Sequence, residues 1–141
     1  MKNGRLLAVA PHVPRESPYG RALEAWANGM DDTVAAEAAL GAIRERVRVA
    51  RIRSTDLARR GYDAFAAGQE VFARGLLDAA HAHETMAWEG EAQIAEGERR
   101  CAALRARCDA LDAEVRQEGE RHATHEGARA GAVRSHERIA R

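Results

Sequence analysis

The sequence predicts an all-α protein, either an elongated long-helix coiled coil or a helical hairpin, which we expect to be oligomeric and to carry an extended N-terminal arm. Three observations predict this fold class. Proline is absent after Pro18, apolar and small residues recur at spacings of three and four from Leu40 onwards, and aromatic residues make up only 4% of a chain rich in alanine and arginine.

The N-terminal segment, residues 1–18, contains all three prolines, Pro11, Pro14 and Pro18, so it cannot be one continuous helix. We predict that it is an extended or disordered arm. A short helix is expected over residues 19–29, with Ser17 as its N-cap and Pro18 at its first position. The pair Asn28-Gly29 is the predicted stop.

Residues 32–117 are predicted to form the main helical or coiled-coil region. Two seams of apolar or small residues run along it. The first comprises Leu40, Ile43, Val47, Ala50, Ser54, Leu57, Gly61, Ala64, Gly68, Val71 and Gly75. The second comprises Phe65, Phe72, Leu76, Ala79, His83, Met86, Gly90, Ile94, Gly97, Cys101, Leu104, Cys108, Leu111 and Val115.

Two alternatives for this region stay open at the level of sequence. The region is either one helix or a hairpin, with a turn near residues 54–56 or near Gly90. The segment "RVRVARIRS" at 46–54 alternates arginine with β-branched residues and also fits an edge strand, although its helical flanks favour helix. The tail, residues 118–141, is polar and contains three glycines, so we expect it to be weakly helical or disordered.

Three glycines, Gly61, Gly68 and Gly75, stand seven residues apart within the predicted helix. They would cost about 3 kcal/mol relative to alanine, so close packing of another helix is expected to compensate, unless the period is accidental. We predict that this stripe forms a helix-packing interface that permits antiparallel self-packing. The predicted interface residues are Gly61, Phe65, Gly68, Phe72, Gly75, Leu104 and Leu111.

The segment 44–60, here called the arginine belt, holds seven arginines against two acidic residues. Residues 61–100 have the opposite balance, with three arginines and eight acidic residues. The two segments could neutralise each other in a hairpin or an oligomer. Clustered guanidinium groups also bind phosphate groups. The alternative to charge neutralisation within the protein is therefore that Arg46, Arg48, Arg51 and Arg53 contact DNA or RNA.

The chain carries no phosphate-binding glycine loop, nucleophile elbow or H-E-x-x-H zinc motif. Of the histidine clusters, only Asp78 and His81 have the carboxylate–imidazole spacing of a helical metal site. Cys101 and Cys108 share one heptad position and are expected to be reduced packing residues. The sequence therefore predicts no catalytic residues, no metal and no cofactor, and a protein that is not an enzyme.

The N-terminal apolar run, residues 6–10, is too short for a signal-peptide core, so we expect a cytoplasmic protein. The formal charge is zero and no apolar run approaches the length of a membrane span, so we expect no membrane partner. The predicted function is that of a non-enzymatic helical interaction or assembly protein, acting as scaffold, spacer or adaptor. Its expected partners are other copies of itself and another protein. The alternative is a DNA- or RNA-associated protein that uses the arginine belt.

Overall fold

A computed structural model describes residues 13–139, which form two long α-helices and no strand. Helix α1 spans Pro18–Ala66 and helix α2 spans Glu70–Ile139. The all-α prediction is confirmed, and residues 46–54 are helical rather than an edge strand. Most of the predicted N-terminal arm, residues 1–12, lies outside the described residues.

Helix α1 begins where the sequence predicts, at a proline that follows a capping serine. The Ser17 hydroxyl accepts a hydrogen bond from the Gly20 amide at 3.0 Å, which is the N-cap to N3 contact, and donates one to the Pro14 carbonyl at 2.6 Å. Pro18 lacks an amide hydrogen, which costs nothing at the first helical position. Ser17 and Pro18 therefore act as the predicted start signal.

The predicted stop at Asn28-Gly29 is wrong, because α1 continues through both residues. Gly29 lies where α1 passes close to α2. A Cβ atom there would meet Leu111 Cδ1 at 3.1 Å and Cys108 Sγ at 3.3 Å. This glycine therefore accommodates a neighbouring helix and does not cap its own, and the predicted short helix 19–29 is the first part of α1.

The two helices are separated by residues 67–69, so the turn lies neither at residues 54–56 nor at Gly90. Gly68 has a φ of 76°, the left-handed conformation that glycine adopts without strain. The Gly68 amide donates to the Phe65 carbonyl at 3.0 Å, and the Gln69 amide donates to the Ala64 carbonyl at 2.9 Å. This pair of bonds is the Schellman motif that ends helices, which explains why the break falls at Gly68.

The tail is helical as far as Ile139, contrary to the disordered alternative predicted for residues 118–141. Ion pairs one turn apart support this part of α2, for example Arg121–Glu118 at 2.6 Å and Arg129–Glu126 at 3.8 Å. Its glycines lower helix propensity without ending the helix, since no proline or left-handed residue follows them as far as residue 139.

The chain divides into two compact units, which are described separately. One, Ala35–Ala102, is called the hairpin unit, and it pairs α1 with α2 in antiparallel fashion across the turn. Its core contains Val47, Ala50 and Ala87, with Ile43 and Ile94 packed against them. The first predicted seam points inward from Leu40 to Ala64, and its regular spacing is lost at the turn.

The other unit, here called the terminal unit, combines the described residues 13–34 and 103–139. Among its described residues, Ala22, Ala27 and Cys108 are buried, and Leu104, Leu111 and Val115 are half-buried. The Tyr19 ring lies 5.4 Å from that of His122, at an interplanar angle of 39°. The second predicted seam therefore points inward in this unit, whereas its members Phe65, Phe72 and Met86 in the hairpin unit are exposed.

Candidate interaction surface

The three equally spaced glycines have three different environments, so the predicted continuous glycine groove is wrong. Gly61 is buried, and a Cβ atom there would lie 2.8 Å from Leu77 Cγ and 3.3 Å from the Ala73 carbonyl oxygen. Gly68 forms the turn. Gly75 is exposed, with nothing within 4 Å of a Cβ position. The seven-residue period is interrupted because the helix itself ends at Gly68.

The aromatic residues of the predicted interface surround the turn and remain exposed. Phe65 is 48% exposed and Phe72 57% exposed, and Tyr62 and Val71 next to them are more exposed still. We call Tyr62, Phe65, Val71 and Phe72 the tip cluster. Of the other predicted interface residues, Leu104 and Leu111 lie half-buried in the terminal unit.

Close helix approach in the hairpin unit occurs instead at Gly61, Gly90 and Gly97. Leu77 faces Gly61, and a Cβ atom at Gly90 would overlap Val47 Cγ2. A Cβ atom at Gly97 would lie 2.9 Å from Leu40 Cδ1. Gly90 and Gly97 belong to the second predicted seam. They act as sockets, positions without a side chain that accommodate Val47 and Leu40, only because α2 packs against α1. The position of the turn determines that pairing.

The hairpin unit buries mainly small side chains and leaves many of its large ones exposed. Its most buried apolar residues include Ala50, Ala64, Ala73, Ala80 and Ala87, and among the described residues no large side chain is fully buried. Large apolar side chains remain at the surface outside the tip cluster too, among them Ile52, Met86 and Trp88.

The arginine belt forms ion pairs both within α1 and across to α2. Five of its seven arginines are paired with carboxylates, as follows: Arg44–Glu98, Arg48–Glu45, Arg51–Glu91, Arg59–Asp56 and Arg60–Asp56. The pairs of Arg44 and Arg51 join the belt to the acidic segment, as charge neutralisation in a hairpin predicts. Among the described residues Arg46 and Arg53 have no ion pair. Of the four predicted phosphate contacts, therefore, two have carboxylate partners and two do not.

The pair between Glu45 and Arg48 is solvent-exposed and has two hydrogen bonds, at 2.6 and 2.8 Å. Hydrogen bonding to Arg48 holds the pKa of the Glu45 carboxyl below its ordinary value and raises the pKa of Arg48. Ion pairs this exposed contribute little to stability. The pair mainly limits the freedom of one arginine of the belt.

Arg46 and Arg53 lie on one wall of a groove between the two helices of the hairpin unit. The groove has a volume of about 230 Å³, and Val49, His83 and Met86 also line it. His83 Nδ1 is buried and has no hydrogen-bond partner among the described residues. Buried polar atoms in folded proteins are nearly always hydrogen-bonded to protein or to water, so His83 Nδ1 is the polar atom of this groove that a ligand, water or partner could contact.

A small polar network joins the same two helices at Glu84, which is exposed. Glu84 accepts hydrogen bonds from the Ser54 hydroxyl at 3.2 Å and from Trp88 Nε1 at 3.1 Å. Ser54 is buried, which explains why it belongs to a helix seam and does not start a turn. Because the Glu84 carboxylate already accepts hydrogen bonds from two side chains, we interpret this network as a structural contact between the helices.

The two thiols are buried, and the histidines belong to no metal-binding group in the described part of the chain. Cys101 and Cys108 are buried, and Cys108 Sγ lies 3.3 Å from the Thr33 hydroxyl. Within residues 13–139 no group of three or more His, Cys, Asp or Glu side chains is arranged to hold a metal ion. His81 is exposed, and Asp78 beside it has no ion pair in this region.

The sequence matches no protein-family model, and comparisons with curated proteins and with solved structures give no match. Within residues 13–139, neither helix contains a segment that is both long and apolar enough to cross a bilayer. The function must therefore be argued from the surface of the chain itself.

Proposed function

We propose that the protein is a non-enzymatic helical interaction protein that works through self-association and the docking of partner helices, as a scaffold, spacer or adaptor. The observation that carries this proposal is the distribution of side-chain size in the hairpin unit. Most of the buried positions in this unit are alanine or glycine, whereas Phe65, Phe72 and Met86 remain exposed.

The energetic reason is the apolar area that the single chain leaves in contact with water. Fully burying a phenylalanine or methionine side chain contributes about 1.5–3 kcal/mol, and an alanine contributes much less. A pair of helices packed through alanines therefore gains little from its own core. Covering the exposed side chains with another helix would recover the larger contribution.

Sedimentation equilibrium of the full chain over a range of concentrations tests this proposal. We expect a mass above the 15.4 kDa of one chain, and the association should persist at high salt because apolar contacts are not screened. The thermal midpoint should also rise with protein concentration, because association stabilises the folded chain by mass action. A single-chain mass at every concentration, with a constant midpoint, would contradict self-association.

A nucleic-acid role for the arginine belt stays a prediction with its own test. Five of the seven guanidinium groups already have carboxylate partners within the chain, so phosphate would have to compete with them. Binding to duplex DNA that weakens steeply with salt, and is lost on reversal of Arg46 and Arg53, would favour this role.

A further inference from the structure

We propose that a second copy of this chain packs on one face of the hairpin unit, related to the first by a twofold axis parallel to the helices, so that the two copies form a four-helix bundle. This inference rests on the proposed self-association and adds its surface and its symmetry. The face consists of an exposed seam on α2 and the neighbouring wall of α1.

The seam on α2 is a second apolar stripe beside the one that packs on α1. Its members recur at spacings of three and four, and we call them the outer seam: Phe72, Gly75, Ala79, Ala82 and Met86. Three of them directly precede the buried alanines 73, 80 and 87, so they point about 100° away from the hairpin core. Phe72 and Met86 are more than half exposed.

The neighbouring wall of α1 faces the same way, because Arg46, Val49 and Arg53 line one groove together with Met86. The face extends about 25 Å along the helices from Phe72 to Glu89 and is about 20 Å wide, which gives about 500 Å² in projection. This projected area is of the same order as the roughly 800 Å² of accessible surface that each partner buries in a standard interface.

The charges at the two edges of the face identify a second copy as the occupant. Arg46 and Arg53, on the α1 edge, have no ion pair among the described residues. Asp78 and Glu89, on the α2 edge, have none either, and their spacing of about three helical turns places both on one side of α2. One edge is therefore cationic and the other anionic.

A twofold axis parallel to the helices places the α1 edge of each copy over the α2 edge of the other. Arg46 and Glu89 line the same cavity, so they lie at the same level along the hairpin. The symmetry then brings Arg46 of each copy against Glu89 of the partner subunit, twice in one interface. Phe72 and Met86 would be covered, and the groove that holds the unsatisfied Nδ1 of His83 would be closed.

Charge reversal tests this arrangement. Arg46→Glu and Glu89→Arg should each raise the dissociation constant of the dimer by about ten-fold or more, because each places two like-charge pairs in the interface. An equimolar mixture of the two variants should form a heterodimer of wild-type affinity, since both contacts then join opposite charges. Arg107→Glu, which reverses an exposed arginine outside the face, should leave the dissociation constant unchanged.

Restoration in the mixture is the decisive result, because a charge effect within one chain would not be repaired by a second chain. Met86→Lys should also raise the dissociation constant while the helix content stays constant. Wild-type association that is insensitive to all three face variants, or a mass other than that of a dimer, would overturn this interface and leave the proposed self-association standing. A chain that does not self-associate at all would overturn both.

Discussion

Alanine substitution at glycines 61, 68 and 75 should change stability in three different ways, although the sequence places the three residues at one regular spacing. Gly75 lies within α2 with open space at its Cβ position. Alanine there removes the helix penalty of glycine and should stabilise the fold by about 1 kcal/mol, which raises the thermal midpoint by about 3 °C.

At Gly61 alanine brings the same gain in helix propensity, but its Cβ atom would overlap with atoms of α2. The new Cβ atom would lie 2.8 Å from Leu77 Cγ, and the Ala73 carbonyl at 3.3 Å is backbone that cannot rotate away. Overpacking of this kind costs about 1–3 kcal/mol, so the net result is destabilisation by as much as about 2 kcal/mol. At Gly68 the φ of 76° costs alanine about 1–2 kcal/mol, with no gain to offset it.

Urea denaturation followed by far-UV circular dichroism measures all three values under one condition. Gly41→Ala is a matched control, because Gly41 is exposed in α1 and has nothing within 4 Å of its Cβ position. It should behave like Gly75→Ala. Gly68→Asn should recover part of the loss, since asparagine tolerates the left-handed conformation. Equal stabilisation by alanine at positions 61 and 75 would refute the assignment of Gly61 to a packed contact.

Further predictions concern the thiols, the tail, the exposed ion pair and nucleic acid. Cys101 and Cys108 should react with a thiol reagent only as the chain unfolds, so rapid reaction in native buffer would contradict their burial. Truncation after His125 should leave the thermal midpoint nearly unchanged, because the removed side chains described here are exposed, and hydrogen exchange should be faster there than in the hairpin unit. The Glu45 carboxyl should titrate below its ordinary pKa when followed by NMR, and in Arg48→Ala its pKa should return to the ordinary value. The small contribution of this ion pair to folding stability is present above the ordinary pKa of Glu45 and disappears as the pH falls through the lowered pKa. Electrophoresis with duplex DNA at low salt should show no mobility shift, and a shift would favour the nucleic-acid alternative.

Local signals in the sequence were sufficient to predict the start of α1 and its inward-facing residues from Leu40 to Ala64, but on α2 the predicted seam members Val71, Phe72 and Met86 are exposed. Ser17 and Pro18 act through contacts within one helical turn, so they need no information about the rest of the chain. The seam from Leu40 to Ala64 is buried because spacings of three and four place its members on one side of any α-helix. Helical character depended on the absence of proline after Pro18 and on this periodicity.

The roles of the glycines depended on tertiary contacts. Gly29 resembles a stop signal and Gly68 a member of a seam, yet the first packs against α2 and the second ends α1. A glycine permits both a left-handed turn and the close approach of another helix, and its neighbours in sequence do not choose between them.

The sequence by itself determined that the chain is helical, where its first described helix starts and which residues of α1 between Leu40 and Ala64 face inward, because helix propensity, capping and periodicity act over one or two turns. The position of the turn decided which residues meet across the hairpin. Gly61, Gly90 and Gly97 became sockets for Leu77, Val47 and Leu40 only once α2 folded back on α1. The same pairing left the outer seam uncovered, since a helix packed against a single neighbour buries one side and exposes the rest.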